Sequence, residues 1–285
     1  MKTLVNAAAL ERCLAAVERH VNSPRYFGQA SQVPKVSLPE SIFETINQVA
    51  AAIRNPIVFR RRGKFLVVTG LDKVGKETVC FNPRKTTGVQ SVVSFLKSLG
   101  FNVFALNPPT YGTVMGNLVS AYLGRGESAF SFEGELSDEH AWLLFSLDRA
   151  QYNYSLRSWL SRPNSVVLSK GWTERQLAYQ MALGIKKARI LRFERNLLKQ
   201  DYTLVLEAPI ETLLERLSSD GIPDLYEREP MLRRVFELMS DLARIYPYGE
   251  VFSVNASRSV VETSRHVNTK IAELLSQRRV RPVEE

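Results

Sequence analysis

The sequence predicts an α/β fold, a five-stranded parallel sheet flanked by helices, with a helical N-terminal extension in front of it. Three observations carry this. Five short runs rich in β-branched and aromatic residues recur at 65–69, 102–106, 165–169, 202–207 and 250–254, and helical patterns fill the intervals. That alternation belongs to a parallel sheet covered on both faces. The first run leads straight into Gly70-Leu71-Asp72-Lys73-Val74-Gly75-Lys76, a Gly-x-x-x-x-Gly-Lys turn of the kind that cradles phosphate on backbone amides. Ahead of it, residues 1–63 read as helix, linker and helix.

Each element follows from its local pattern. Residues 4–22 place Leu10, Leu14, Val17 and Val21 on one helical face. Residues 23–36 read as a linker. Ser37-Leu38-Pro39-Glu40 has the form of a capping box with proline just inside, so a helix is expected over 38–54, ended by Asn55-Pro56. Further helices are expected at 87–99, 113–123, 138–161, 173–195, 209–219, 229–245 and 259–277. The expected division is a basic helical extension (1–63), a sheet domain (64–277) and a tail (278–285). Ligands of such sheets bind at the carboxyl ends of the strands, which points to the loops after 69, 106 and 169.

Composition limits the function classes. A chain of 285 residues with 45% hydrophobic and 24% charged residues is ordinary for a globular protein. No apolar stretch approaches the roughly 18–20 residues of a membrane span. Two cysteines, Cys13 and Cys80, argue against a disulfide framework and fit a reducing compartment. Three histidines and two cysteines without close spacing argue against a structural zinc, and no metal site is expected. The net charge of +9 is uneven: residues 1–63 hold nine Lys/Arg against four Asp/Glu, and Arg60-Arg61-Arg62-Gly63-Lys64 abuts the first strand. This reads as a solvated linker or a presequence-like composition, although Glu11 and Glu18 depart from the acid-poor pattern of transit peptides. The other reading is an electrostatic patch for RNA, acidic lipid or an acidic protein. No nucleic-acid-binding motif accompanies the charge.

The phosphate loop is irregular. The position after Lys76 calls for Ser or Thr, whose hydroxyl binds magnesium, and it is Glu77. Pro83 falls where the following helix should be in full stride. A second start, Lys85-Thr86-Thr87, has Arg84 in the glycine position. Neither register is complete, and the Lys-to-Lys spacing implies about nine inserted residues within the loop.

Six ordered segments carry a resemblance: 65–72, 85–100, 136–151, 177–180, 202–209 and 255–259. Over residues 64–277 the chain resembles the thymidylate kinase family. The resemblance implies a P-loop kinase fold and transfer of the ATP γ-phosphate to a nucleoside monophosphate, usually dTMP, with ATP and magnesium as cofactors. That chemistry is positioning and charge neutralisation, and four of its elements are altered here. Gly70, Gly75 and Lys76 are followed by Glu77, with Lys85 and Thr86 in a second, incomplete start. Thr110-Tyr111 stands where an acid and an arginine are implied. Lys170-Gly171-Trp172 replaces Asp-Arg-Tyr, a charge reversal beside the implied magnesium. Leu225 replaces an arginine in Asp224-Leu225-Tyr226-Glu227. On the monophosphate side Phe145 matches the base-stacking aromatic, Arg149 the arginine contacting monophosphate or base, and Tyr179 and Gln180 other pocket residues; the plain alternative is that these are core and surface-pair residues.

The reading is a non-catalytic family member without a bound cofactor. It would act as a structural or accessory subunit of a larger assembly, mitochondrial (respiratory or ribosomal) or otherwise cytoplasmic, with the N-terminal extension docking protein partners. The alternatives are an active dTMP kinase using ATP and magnesium, or a nucleotide-sensing or RNA-binding module.

Overall fold

The computed structural model describes residues 2–23, 37–218 and 225–276. The expected linker beyond Ser23, Asp224 and the tail 278–285 lie outside the described residues. In chain order the elements are β1 (Thr3–Asn6), α1 (Ala7–Asn22), α2 (Glu40–Arg54), β2 (Lys64–Thr69), α3 (Lys76–Cys80), α4 (Val92–Ser98), β3 (Asn102–Leu106), α5 (Val114–Tyr122), β4 (Phe130–Glu133), α6 (Asp138–Ala150), α7 (Asn153–Leu160), β5 (Ser165–Lys170), α8 (Thr173–Ala182), α9 (Lys187–Phe193), β6 (Tyr202–Glu207), α10 (Ile210–Ser218), α11 (Glu229–Ser240), α12 (Leu242–Ile245), β7 (Glu250–Asn255) and α13 (Val260–Ser276). Among the described residues the main sheet has five parallel strands in the order β3-β5-β2-β6-β7.

The sheet is buried on both faces, so its central strand is continuously apolar rather than alternating. Phe65, Leu66, Val67 and Val68 of β2 are all fully buried. Successive side chains still point to opposite sides. Leu66 and Val68 join the larger core with Val166 and Leu168 of β5. Phe65 and Val67 join a smaller one with Val167, Leu156, Leu160 and Trp172.

Several boundaries differ from the sequence reading, each for a local reason. Residues 3–6 are a strand, not the start of α1, and β1 pairs in parallel with β4 in a separate ribbon. The Asn6 side chain accepts from Ala9 N at 2.9 Å, which caps α1 and stops it extending backwards. α2 begins at Glu40 with Pro39 as its N-cap and no side-chain cap hydrogen bond, so the Ser37 capping box does not form. The region 138–161 is two helices, broken at Gln151 and Tyr152, and 173–195 breaks after Ala182, where Gly184 adopts φ +88°.

The inserted residues lie after the first turn of helix, not within the phosphate loop. Gly75 is left-handed (φ 96°) and opens α3, which ends at Cys80. Val79 and Cys80 are core residues, so that part of the insert packs into the sheet domain. Asn82 then organises the connection to α4: its Oδ1 accepts from Thr86 N, and its Nδ2 donates to Thr86 O and Val89 O. The helix expected at 87–99 starts only at Val92, capped by Ser91.

The extension shares the core of the sheet domain. Leu10, Leu14 and Val17 of α1 and Ile42, Ile46 and Ile53 of α2 lie in one cluster with Ala141, Leu144 and Leu147 of α6. Arg189 of α9 clamps Glu18 with two hydrogen bonds of 2.6 and 2.7 Å and also binds Glu139. Residue 63 therefore does not separate two cores. All three tryptophans lie beyond residue 63. Ile46→Ala is expected to shift the urea transition read by tryptophan fluorescence, lowering stability by about 2–4 kcal/mol. An unshifted fluorescence transition would mean that the extension unfolds on its own.

Candidate functional site

At the carboxyl ends of β2, β3 and β5 lies a cleft of about 290 Å³, lined among others by Asp72, Glu77, Tyr111, Arg125, Phe145, Arg149, Lys170, Arg175, Tyr179 and Tyr226. Six of the residues singled out from sequence therefore line it: Glu77, Tyr111, Phe145, Arg149, Lys170 and Tyr179. Gly70, Gly75 and Lys76 form the adjoining loop, and Gly171 follows Lys170 at the end of β5. Lys85 and Thr86 are not part of the site: they lie on an exposed turn of the inserted segment. The second start is a surface loop because its glycine position is Arg84 and Asn82 has already diverted the chain.

The loop lysine is turned onto its own loop. Lys76 Nζ donates to Gly70 O at 2.9 Å and to Leu71 O, and lies 3.5 Å from Asp72 Oδ1. Burial pushes its ammonium down to about 7, against the opposing pull of Asp72. Asp72 is the hub. Arg175 Nη2 lies 2.8 Å from both of its oxygens and the Tyr179 hydroxyl donates to it at 3.0 Å. Burial opposes ionisation of Asp72, but Arg175 and Lys76 outweigh it and hold the carboxyl well below the usual carboxylate range.

Arg175, Arg125 and Asp72 were missed as site residues by the sequence reading. Arg175 is one helical turn after Gly171 and stacks over the Tyr179 ring at 4.7 Å. A Cβ on Gly171, whose φ is +73°, would lie 3.0 Å from Arg175 Cδ. Gly171 thus makes room for the arginine four residues on. The i, i+4 spacing of Arg175 and Tyr179 was the available signal. Arg125, from the connection between α5 and β4, lies over the Tyr111 ring at 4.8 Å, and no local pattern announces it.

The loop after β3 is held from below. Thr110 N donates to both oxygens of Asp148 at 3.1–3.2 Å, and Gln151 Nε2 donates to Asp148 at 2.8 Å. Gly116 permits the close approach, since a Cβ there would meet Thr110 O at 1.9 Å. Burial raises the Asp148 carboxyl to about 6, Arg149 and the Thr110 amide only partly offsetting it.

On the other wall Arg149 donates to Trp172 O, Phe145 O and Gln176 Oε1 at 2.7–3.2 Å. Phe145 stacks with Tyr226 at 5.3 Å and 14°. Gln180 lies behind Tyr226 and donates to its hydroxyl at 3.1 Å. Leu225 is half-buried, with its amide 3.5 Å from Leu123 O. Lys170, half-buried, is lowered by burial and partly restored by Glu77. Arg125, Arg149, Lys170 and Arg175 line the cleft against Asp72 and Glu77, an excess of positive charge that suits an anion.

Comparison with known proteins gives this geometry a lineage. The thymidylate kinase family model matches residues 68–267. The chain belongs to the thymidylate kinase family. It is 30% identical over 220 residues to the thymidylate kinase of Methylococcus capsulatus, covering 75% of this chain and 97% of that one. It is 28% identical over 217 residues to that of Nitrosospira multiformis, covering 74% and 98%. Among solved structures, thymidylate kinase from Candida albicans shares the fold, with a TM-score of 0.52 at 20% identity over 76% of this chain and 92% of that one. The family match starts after α1 and α2, so the extension that shares the core lies outside it.

The raised Asp148 carboxyl has a stability consequence. It titrates near 6 in the folded protein against 3.8 in the open chain, so its contribution is fully present below pH 4 and is lost as pH rises through 6. Asp148→Asn should narrow the difference in unfolding free energy between pH 4 and pH 7 by roughly 2–3 kcal/mol, measured by urea denaturation at both pH values.

Proposed function

We propose that this chain is a non-catalytic, accessory member of the thymidylate kinase family that keeps a cleft for a nucleoside monophosphate without performing phosphoryl transfer. The observation that carries this reading is the charge at the end of β5. Lys170 stands where the family resemblance places an acid beside magnesium, and it lines the cleft together with Arg175.

Phosphoryl transfer needs a metal ion bridging the phosphates and held by oxygen ligands. The donor set here does not fit one. Asp72 is engaged by Arg175, Tyr179 and Lys76. Glu77 replaces the metal-binding hydroxyl, and Lys170 brings a like charge to the ion. A monophosphate has the opposite requirement, since cations and an aromatic wall serve it directly. Phe145, Arg149, Lys170 and Arg175 supply both in one cleft.

Calorimetry with dTMP and a coupled assay for ADP test this. Binding of dTMP is expected, with Lys170→Met weakening it about tenfold, the loss of one charge-assisted contact. With ATP, magnesium and dTMP no turnover is expected. ADP formation at about 1 s⁻¹ or faster, the range of working kinases, would overturn the proposal.

A further inference from the structure

The aromatic wall of the cleft is already occupied. Tyr226 is 6% exposed and lies in a box of three rings. Phe145 stacks on it nearly parallel, at 5.3 Å and 14°. Tyr179 lies at 5.4 Å and 36°, and Tyr122 stands edge-on at 6.2 Å and 80°. Offset stacks and edge contacts at these separations are how a flat ring is held. The box adjoins the cations Arg149, Lys170 and Arg175, so its natural guest is a flat ring attached to an anion.

Gln180 shows that the present guest is an imperfect one. It is fully buried, and its carboxamide offers a donor and an acceptor side by side. The donor is used, Nε2 to the Tyr226 hydroxyl at 3.1 Å. The acceptor, Oε1, is buried without a hydrogen-bond partner. An unmatched buried acceptor is unfavourable, and a phenol hydroxyl cannot satisfy both groups at once. The edge of a nucleobase with adjacent donor and acceptor can.

We propose that Tyr226 is a resident surrogate for a nucleobase. It fills the ring slot of the cleft, and a nucleoside monophosphate binds by exchanging with it and pairing its base edge with the Gln180 carboxamide. The proposal rests on the reading of the cleft as a nucleoside-monophosphate site. It adds that the site is self-competed: the measured affinity is the intrinsic one reduced by the fraction of molecules with Tyr226 displaced.

Calorimetric titration of the full chain with dTMP, and separately with inorganic phosphate, tests the exchange. Tyr226→Ala should bind dTMP about tenfold tighter than the wild type, as for a displaced state populated at about one part in ten. Inorganic phosphate, which does not enter the ring slot, should bind both proteins equally. Tyr226→Phe keeps the ring and should stay at the wild-type level. Should Tyr226→Ala fail to fold, Tyr226→Leu keeps apolar bulk without a flat face and must show the same gain. Gln180→Met added to the tighter variant should give back about tenfold, the loss of a matched polar pair. Unchanged or weaker dTMP binding on removing the ring overturns the exchange while leaving the cleft assignment standing, as does Tyr226→Phe binding as tightly as Tyr226→Ala. Absence of dTMP binding in every variant overturns both.

Discussion

The site is organised around one half-buried carboxylate. Asp72 belongs to the loop between β2 and α3, and Arg175 and Tyr179 belong to α8. Through the 2.8 Å contacts to Arg175 and the 3.0 Å bond from Tyr179, the loop is tied to the helix that forms the opposite wall. Lys76 completes the cluster from the loop side. A half-buried charge left without its partners is costly, so these side chains act as a unit. The cluster also decides where positive charge faces the cleft: Gly171 yields space, and Arg175, held by Asp72, fills it.

Behind that wall a second buried network holds Glu194 and Glu174, carboxylates whose charge favours the buried Arg149 guanidinium. Glu194 accepts from Ser146 Oγ at 2.6 Å, and its carbonyl accepts from Lys199 Nζ at 2.8 Å. Glu174 accepts from Trp172 N and Gln200 Nε2 at 3.0–3.1 Å. Burial raises the Glu194 carboxyl, and burial lowers Lys199 to about 8 despite the nearby carboxylates. The same region receives the extension. Asn153 Nδ2 bridges Ala52 O and Asn196 O, and Asn196 Nδ2 donates to Arg54 O at 2.6 Å. The end of α2, which lies outside the family-matched span, is thus stitched to the backbone that supports the site.

Much of the fold was legible because its signals are local and periodic. The three central strands β5, β2 and β6 read as apolar runs because both faces of the sheet are covered there, while the edge strands β3 and β7 are only partly buried. The Gly70–Lys76 loop was legible from spacing, and the disrupted helix after it from Pro83. The ribbon of β1 and β4 was not, since four residues carry too little pattern and the pairing joins positions 127 apart. The location of the insert was misread for a related reason. Sequence spacing counts residues between two lysines, but only backbone geometry shows that α3 completes a turn before Asn82 redirects the chain.

The sequence by itself determined the sheet, the lineage and which residue types, Glu77, Lys170, Gly171 and Leu225, stand at their positions. These are statements about residue type at a spaced position, and type is what a sequence records. Tertiary structure decided which charges share the cleft, that Arg175 stands in the space beside Gly171, and that Tyr226 lies on Phe145. Those pairs are separated by loops and by whole elements of the chain. Their meeting depends on how helices pack onto the sheet, and no local period encodes it.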